Sequence, residues 1–182
     1  MEEINTSINN EINGYDHYDS AYNDYLCDDE REDIERRALL EKLEGLTYVE
    51  QITTVIENDE VSSALEKKFE ELHIKDIEAF LGCGNHGAVY LVDGGSILPH
   101  EKLALKVHRF ANAQTVKESG EALALTMPHH NNLNRIYGIL TSDGHSVRYI
   151  DRLEDANQDE RVVGLFAEHI QGKNVEDLLE EA

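Results

Sequence analysis

The sequence predicts an α+β fold in which three helices precede a small antiparallel sheet. Between residues 29 and 73, apolar residues recur every three or four positions, which is typical of amphipathic helices. From residue 77 onward, short runs of β-branched, aliphatic and aromatic residues are separated by glycine-containing turns, which is typical of strands joined by hairpins. We therefore divide the chain into an N-terminal tail (1–28), a helical extension (29–73) and a sheet-containing domain (74–182).

The tail is rich in acidic residues, asparagine and tyrosine and poor in aliphatic residues. Such a segment cannot bury enough apolar surface to offset an ordering entropy of about 1–2 kcal/mol per residue, so we expect it to be disordered. Four tyrosines would share one face if the segment became helical on a partner, namely Tyr15, Tyr18, Tyr22 and Tyr25. A docking or tyrosine-phosphorylation segment is therefore the alternative to a solvated tail.

Helix boundaries in the extension follow from capping residues. A first helix is expected from about Asp29 to Leu43, with Gly45 as its stop signal. Thr47 is the expected N-cap of a second helix, and either Asp59 or Ser62 is the expected N-cap of a third. The extension either packs on the sheet to bury its own apolar faces or acts as a regulatory cap that positions the later helix carrying Glu121.

A glycine-rich hairpin is the centre of the third segment. Gly82, Gly84 and Gly87 form the pattern G-x-G-x-x-G, which lets backbone N–H groups approach a phosphate without interference from Cβ atoms. A dinucleotide-binding fold would place a helix directly after these glycines, whereas residues 88–92 here predict a strand. The glycines therefore belong to a β-hairpin.

Together with Val89 and the following Ala104-x-Lys106 strand, this hairpin resembles the N-terminal nucleotide-binding lobe of the eukaryotic-like protein kinase family. The resemblance continues through residues 130–139, which are similar to the family's entry into the fourth strand, and through residues 163–179. It implies a five-stranded antiparallel sheet with one helix, for which residues 116–127 are the match.

The resemblance also implies a phosphate clamp. Lys106 matches the lysine that contacts the nucleotide phosphates, and it would pair with a glutamate of the helix. Counting back from residues 130–139 selects Glu121 rather than Glu118 for that partner. The ordinary alternatives are a lysine exposed on a strand and a solvated helical glutamate.

Further matches imply an adenine site. Leu81, Val89 and Ala104 occupy positions that sandwich the base, although apolar residues in a small sheet would be core in almost any fold. Ala167 falls at the gatekeeper position. In the hinge that follows, the backbone groups of Glu168 and Ile170 would bond adenine, and Asp177 would reach the ribose.

The catalytic part of a kinase is not found in this sequence. The H-R-D, D-F-G and A-P-E segments should lie beyond Ala182, and none occurs in the 182 residues. The resemblance thus implies an ATP-binding lobe that transfers phosphate to protein Ser, Thr or Tyr only if a C-lobe is supplied, with Mg²⁺ expected only then. The alternative is a non-catalytic, pseudokinase-like interaction module.

The composition of the chain limits the classes of partner that it is expected to bind. A net charge of −22 argues against attraction to nucleic acid or anionic lipid, and no stretch approaches a membrane-spanning length. Cys27 and Cys83 offer neither a disulfide framework nor zinc-ligand spacing, so we expect an intracellular, cytoplasmic protein, with secretion as an effector still open. His129 and His130 match a helix-to-strand corner, so we predict no metal site there.

Two connections complete the domain. Residues 93–102 contain glycines and a proline and predict an exposed loop between the second and third strands. After the fourth strand, residues 147–150 predict an inserted strand and residues 151–161 an acidic loop.

Overall fold

The computed structural model describes residues 28–128 and 134–170. The helical extension contains three helices: α1 (Asp28–Leu43), α2 (Tyr48–Ile56) and α3 (Asp59–Glu71). The domain that follows contains six strands and one short helix: β1 (Ile77–Gly84), β2 (Gly87–Asp93), β3 (Lys102–His108), α4 (Gly120–Ala124), β4 (Ile136–Ser142), β5 (Val147–Ile150) and β6 (Arg161–Glu168).

Local capping chemistry places the helix boundaries of the extension. Gly45 follows α1 with a φ of +77°, a backbone conformation that favours glycine. Thr47 caps α2 through a capping box with Glu50, so this predicted N-cap is confirmed. The predicted caps of α3 are wrong, because the side chain of Asn58 accepts a hydrogen bond from Val61 N at 3.0 Å. An asparagine oxygen satisfies the orphan N–H groups well, so α3 begins directly after Asn58.

The sheet has six antiparallel strands in the order β1-β2-β3-β6-β4-β5, so the prediction of five strands is wrong. The additional strand is β5, the inserted segment, which pairs with β4 at the edge of the sheet from Ile139↔Ile150 to Ser142↔Val147. Strands β3 and β6 are neighbours in the sheet although β4 and β5 lie between them in the sequence. They pair from Leu103↔Glu168 to Val107↔Gly164.

The two faces of the sheet are buried by different parts of the chain. The helices of the extension form one apolar cluster with alternate residues of β3, namely Leu103, Leu105 and Val107. The opposite face packs with Ala122 of α4 in a second cluster that includes Ala104. The extension therefore buries its apolar face against the sheet, as the first interpretation proposed. The alternative, a regulatory cap on the helix of Glu121, disagrees with the packing, because the extension and α4 lie on opposite faces of the sheet.

Helix α4 is much shorter than the predicted helix over residues 116–127. The backbone N–H of Val116 donates to Glu160 O at 2.9 Å, and Thr115 forms an isolated bridge with Arg161, so the chain is tied to the start of β6 and then turns, with Ser119 N donating to Thr115 O at 3.0 Å. Ser119 then caps α4 through a 3.3 Å hydrogen bond from Ala122 N. After Ala124 the chain continues in i→i−3 turns as far as Met127. Long-range pairing to β6 therefore overrides the helical pattern.

A buried carboxylate organises the segment between β5 and β6. Glu160 is only 4 % exposed, and its oxygens accept hydrogen bonds from Thr141 Oγ1 at 3.0 Å and Arg148 Nη1 at 2.9 Å. The backbone N–H and side-chain amide of Asn157 complete its coordination at 3.3 and 3.1 Å. Although burial opposes ionisation, these donors, with Arg148 foremost, lower the pKa of Glu160. The network ties the predicted acidic loop to β4 and β5.

In residues 28–128 and 134–170, no helix combines the length and the apolar character needed to cross a membrane. The tyrosine-rich tail lies outside the described residues, as do Cys27, His129, His130 and Asp177.

Candidate functional site

Lys106 lies in the middle of the sheet, on the face that carries α4. In the β2–β3 pairing it stands opposite Val89, and Ala104 stands opposite Leu91. Since side chains alternate along a strand, Ala104 and Lys106 share one face of β3, and the buried Leu105 occupies the other. A lysine thus lies beside an apolar strip of the sheet and next to the glycine hairpin.

Lys106 and Glu121 form an ion pair between Nζ and Oε1. The two side chains are 34 % and 32 % exposed, so each keeps access to solvent while its stem is covered. Glu118, one turn earlier, instead accepts a 3.0 Å hydrogen bond from Thr115 Oγ1. The structure therefore brings Lys106 together with Glu121 and not with Glu118. Their role towards a nucleotide stays a prediction.

His108 also contacts this carboxylate. Its Nε2 lies 2.8 Å from Glu121 Oε2, off the line of an ideal hydrogen bond, and its side chain is 11 % exposed. Partial burial opposes ionisation of Glu121, but the contacts with His108 and Lys106 prevail and lower its pKa to about 2. His108 was not among the site residues predicted from the sequence. The alternation of side chains along a strand could have identified it, because a residue two positions after Lys106 lies on the same face.

The glycine hairpin consists of β1 and β2 joined by the two-residue turn Asn85-His86, with Gly84 paired to Gly87. Two of its glycines are required by the fold itself. Gly82 has a φ of +153°, and Gly87 has the same φ with a Cβ position only 1.8 Å from Val107 O. Gly84 is different, because a Cβ added there would meet no atom within 4 Å. The space beside Gly84 is therefore open to a ligand.

The hairpin is braced on both sides. Arg109 N donates to the carbonyl of His86 at 3.1 Å, which ties the turn to the end of β3. On the other side, Cys83 Sγ lies 3.9 Å from the carbonyl oxygen of Arg36 in α1. Cys83 is a free thiol whose pKa is raised by burial, so it lacks the environment of a reactive cysteine.

The predicted adenine positions are only partly open. Leu81 is 46 % exposed, and Val89 and Ala104 are half-buried diagonal neighbours on β2 and β3. Ala167 pairs with Ala104 but is only 6 % exposed, within the apolar cluster that contains Ala122. Its methyl group is therefore mostly covered by the protein itself.

The predicted hinge residues follow directly after β6. The backbone N–H of Glu168 donates to Arg135 O at 2.8 Å, so a base contact at Glu168 would have to use its carbonyl group. The side chain of Ile170 is 67 % exposed. Its backbone contact with a base stays a prediction, as does the ribose contact of Asp177, which lies outside the described residues.

A cleft of about 320 Å³ opens beside the ion pair. Its lining includes the hairpin turn, β3 and the segment before α4, with the polar side chains His86, Lys106, His108, Gln114, Ser119 and Glu121. In the described part of the chain, no group of three or more His, Cys, Asp or Glu side chains is placed to hold a metal ion. The ionisable side chains of the cleft are one ammonium, two imidazoles and one carboxylate, and Asn112, Gln114 and Ser119 add neutral polar groups.

Comparison with protein-family models, with curated proteins and with solved structures gives no match to this chain.

Proposed function

We propose that this chain forms the ATP-binding lobe of a protein kinase-like protein. The observation that carries the proposal is the ion pair of Lys106 with Glu121, which joins β3 to α4 beside a glycine hairpin. Elements that are separate in the sequence, namely β3, α4 and the glycine hairpin, thus lie together. In a kinase-like lobe each of them would help to bind a nucleotide phosphate.

The ion pair leaves Lys106 able to bind an anion. An ammonium group has three N–H donors, and the carboxylate of Glu121 takes one of them. With a third of its surface exposed, the lysine offers its remaining donors to a phosphate while Glu121 fixes its position. A lysine held in this way loses less side-chain entropy on binding than a free one.

The surroundings favour a nucleotide over a simple anion. The half-buried strip formed by Val89 and Ala104, with the exposed Leu81 beside it, suits the flat apolar face of a base. The absence of steric conflict at Gly84 lets backbone N–H groups of the hairpin approach phosphate oxygens. Base and phosphate contacts would therefore lie along one face of the sheet.

Phosphoryl transfer is proposed only in combination with a C-lobe. The reaction needs a positioned acceptor hydroxyl and carboxylates that hold Mg²⁺ on the phosphates. This chain contains no H-R-D or D-F-G segment, so those groups would come from a second lobe. In that assembly the lobe described here would hold ATP, and a protein Ser, Thr or Tyr would receive the phosphoryl group.

A second candidate function is a non-catalytic interaction module. It is favoured by the exposure of apolar side chains around α4, where Leu123 is 50 % and Met127 is 60 % exposed. Exposed apolar groups close together often mark a protein interface. In this alternative the lobe docks on a partner through α4 and needs no nucleotide.

Calorimetric titration separates the two candidates. The ATP-binding lobe predicts that ATP binds to the folded chain and that adenosine binds more weakly, because adenosine lacks the phosphates that Lys106 would contact. Absence of ATP binding, with or without Mg²⁺, by protein that melts cooperatively would contradict the proposal. If ATP binds, addition of a kinase C-lobe with a peptide substrate tests transfer, and a lack of transfer would favour the interaction module.

A further inference from the structure

Two imidazole groups flank the cleft beside the ion pair, and the proposed function uses neither. His108 lies on the same face of β3 as Lys106 and is 9 % exposed. His86 belongs to the hairpin turn, where its carbonyl is fixed by the backbone of Arg109, the residue after His108. Both histidines line the cleft of about 320 Å³. Their side chains therefore reach one space from two elements that are hydrogen-bonded to each other.

We propose that this cleft is a phosphate subsite in which His108 and His86 contact the terminal phosphoryl group of a nucleoside triphosphate. The inference rests on the proposed function and deepens it by naming the ligand class. Lys106 would hold the inner phosphates, and the histidines would select a triphosphate over a diphosphate.

The geometry at His108 determines how it would bind a phosphate. A carboxylate can only accept hydrogen bonds, so the 2.8 Å approach of Nε2 to Glu121 Oε2, although off the line of an ideal hydrogen bond, favours a hydrogen on Nε2. Nδ1 is then the nitrogen available to a ligand. To donate to a phosphate oxygen, Nδ1 must also carry a hydrogen, which makes His108 an imidazolium.

The charges in the cleft are compatible with an anion. The ionisable side chains that line the cleft are Lys106 and His108 from β3, Glu121 from α4 and His86 from the hairpin turn, and the rest of its lining is neutral. On its other side, His86 borders Glu32, Asp33 and Arg36 of α1. Both oxygens of Glu121 are engaged, one by Lys106 and one by His108, so its charge is compensated inside the cluster. With His108 protonated, two positive groups oppose one negative group, and the cluster carries a net charge of about +1.

The test compares ATP with ADP in the wild-type chain and in His108→Gln. Glutamine keeps a nitrogen donor near the position of Nε2, and so its contact with Glu121, but has no donor at the position of Nδ1. His100→Asn is the matched control, since His100 lies in the β2–β3 loop outside the cleft and has a φ of +69° that asparagine tolerates. Dissociation constants are measured by calorimetry in a chelator-containing buffer between pH 6 and pH 8.5, after cooperative melting has shown that each variant is folded.

The expected result is a loss of triphosphate preference in one variant only. His108→Gln should weaken ATP binding about tenfold at pH 6, with little effect on ADP, because it removes one charge-assisted hydrogen bond. The difference from wild type should shrink by pH 8.5, because a donor at Nδ1 as well as at Nε2 requires the doubly protonated imidazole. His86→Gln should lower the ATP-to-ADP preference as well, and His100→Asn should leave it unchanged.

Two outcomes would overturn the inference in different ways. If ATP and ADP both bind and neither His108→Gln nor His86→Gln changes their relative affinity, the subsite is wrong and the proposed function stands. If the folded wild-type chain binds neither nucleotide, nor inorganic tripolyphosphate, the proposed function fails and the subsite fails with it.

Discussion

Leu105 and Lys106 are consecutive residues of β3 that serve opposite faces of the sheet. Leu105 is completely buried in the cluster formed with the helical extension, whereas Lys106 pairs with Glu121 on the face of α4. One strand thus joins the core of the protein to its candidate site. Changes on the first face should act on stability, and changes on the second should act on ligand binding.

The helical extension should contribute directly to the stability of the sheet. Leu39 of α1 is completely buried in the cluster that contains Tyr90, whereas the neighbouring Leu40 is 38 % exposed. We expect Leu39→Ala to lower the free energy of unfolding by about 2–5 kcal/mol, because it leaves a cavity in the core. Urea denaturation measures this, with Leu40→Ala as the control at less than about 1 kcal/mol. Equal effects of the two substitutions would show that α1 does not pack as described.

The glycines of the hairpin should differ in their effect on stability. A Cβ at position 87 would lie 1.8 Å from Val107 O, whereas one at position 84 meets nothing within 4 Å. We expect Gly87→Ala to cost about 3 kcal/mol or to prevent folding, and Gly84→Ala to stay within about 1 kcal/mol of wild type. Thermal melting of both variants is the measurement. If Gly84→Ala melts normally but binds ATP more weakly, the open space at Gly84 is used by the ligand.

The buried network at Glu160 should stabilise the inserted strand. Removing its carboxylate leaves Thr141 Oγ1 and Arg148 Nη1 without their acceptor, while Arg148 Nη2 keeps its bond to Asp155 O. We expect Glu160→Ala to lower the free energy of unfolding by about 2 kcal/mol, because the buried hydroxyl of Thr141 loses its partner and the partly exposed Arg148 is resolvated. Asp159→Ala is the control, because the adjacent carboxylate is exposed and should contribute less than about 0.5 kcal/mol. A small loss in Glu160→Ala would mean that solvent replaces these partners.

Glu121 should stabilise the protein only when it is ionised. Its pKa is about 2 in the folded chain, below the ordinary value of 4.5, so its contribution is present above about pH 4.5 and is lost as the pH falls towards 2. We expect Glu121→Gln to be less stable than wild type by about 1 kcal/mol at pH 7, since the pair is partly exposed. The gap should narrow by pH 3 in urea denaturation. Glu118→Gln is the control for a carboxylate outside the ion pair, and a constant gap for Glu121→Gln would contradict the assignment.

Short-range chemistry was the part of the fold that could be predicted from sequence. The capping box at Thr47 and the hairpin containing Gly84 and Gly87 depend on residues a few positions apart, and both were predicted. The length of α4 was not predictable in this way. Its late start reflects the bond from Val116 N to Glu160 O, between residues that are distant in sequence. A local helical pattern contains no information about that pairing.

The candidate site shows the same division. Lys106 and Glu121 were selected through a family resemblance, and the folded chain brings them into contact. The burial of Ala167 depends on the packing of α4 across β6, which motif spacing does not report. His108 was missed because motif matching considers positions one at a time. The alternation of side chains along β3 would have placed it beside Lys106.

The most direct test of the proposal is the affinity for ATP of Lys106→Ala compared with Lys102→Ala. Both lysines belong to β3 and both pair with a glutamate, but Lys102 pairs with Glu78 at the end of β1 farthest from the hairpin turn, and neither residue lines the cleft. The proposal predicts that Lys106→Ala weakens ATP binding at least about tenfold, through loss of a charge-assisted hydrogen bond. Lys102→Ala should bind ATP as wild type does. Equal ATP affinity in the two folded variants would contradict the assignment of Lys106 as the phosphate contact.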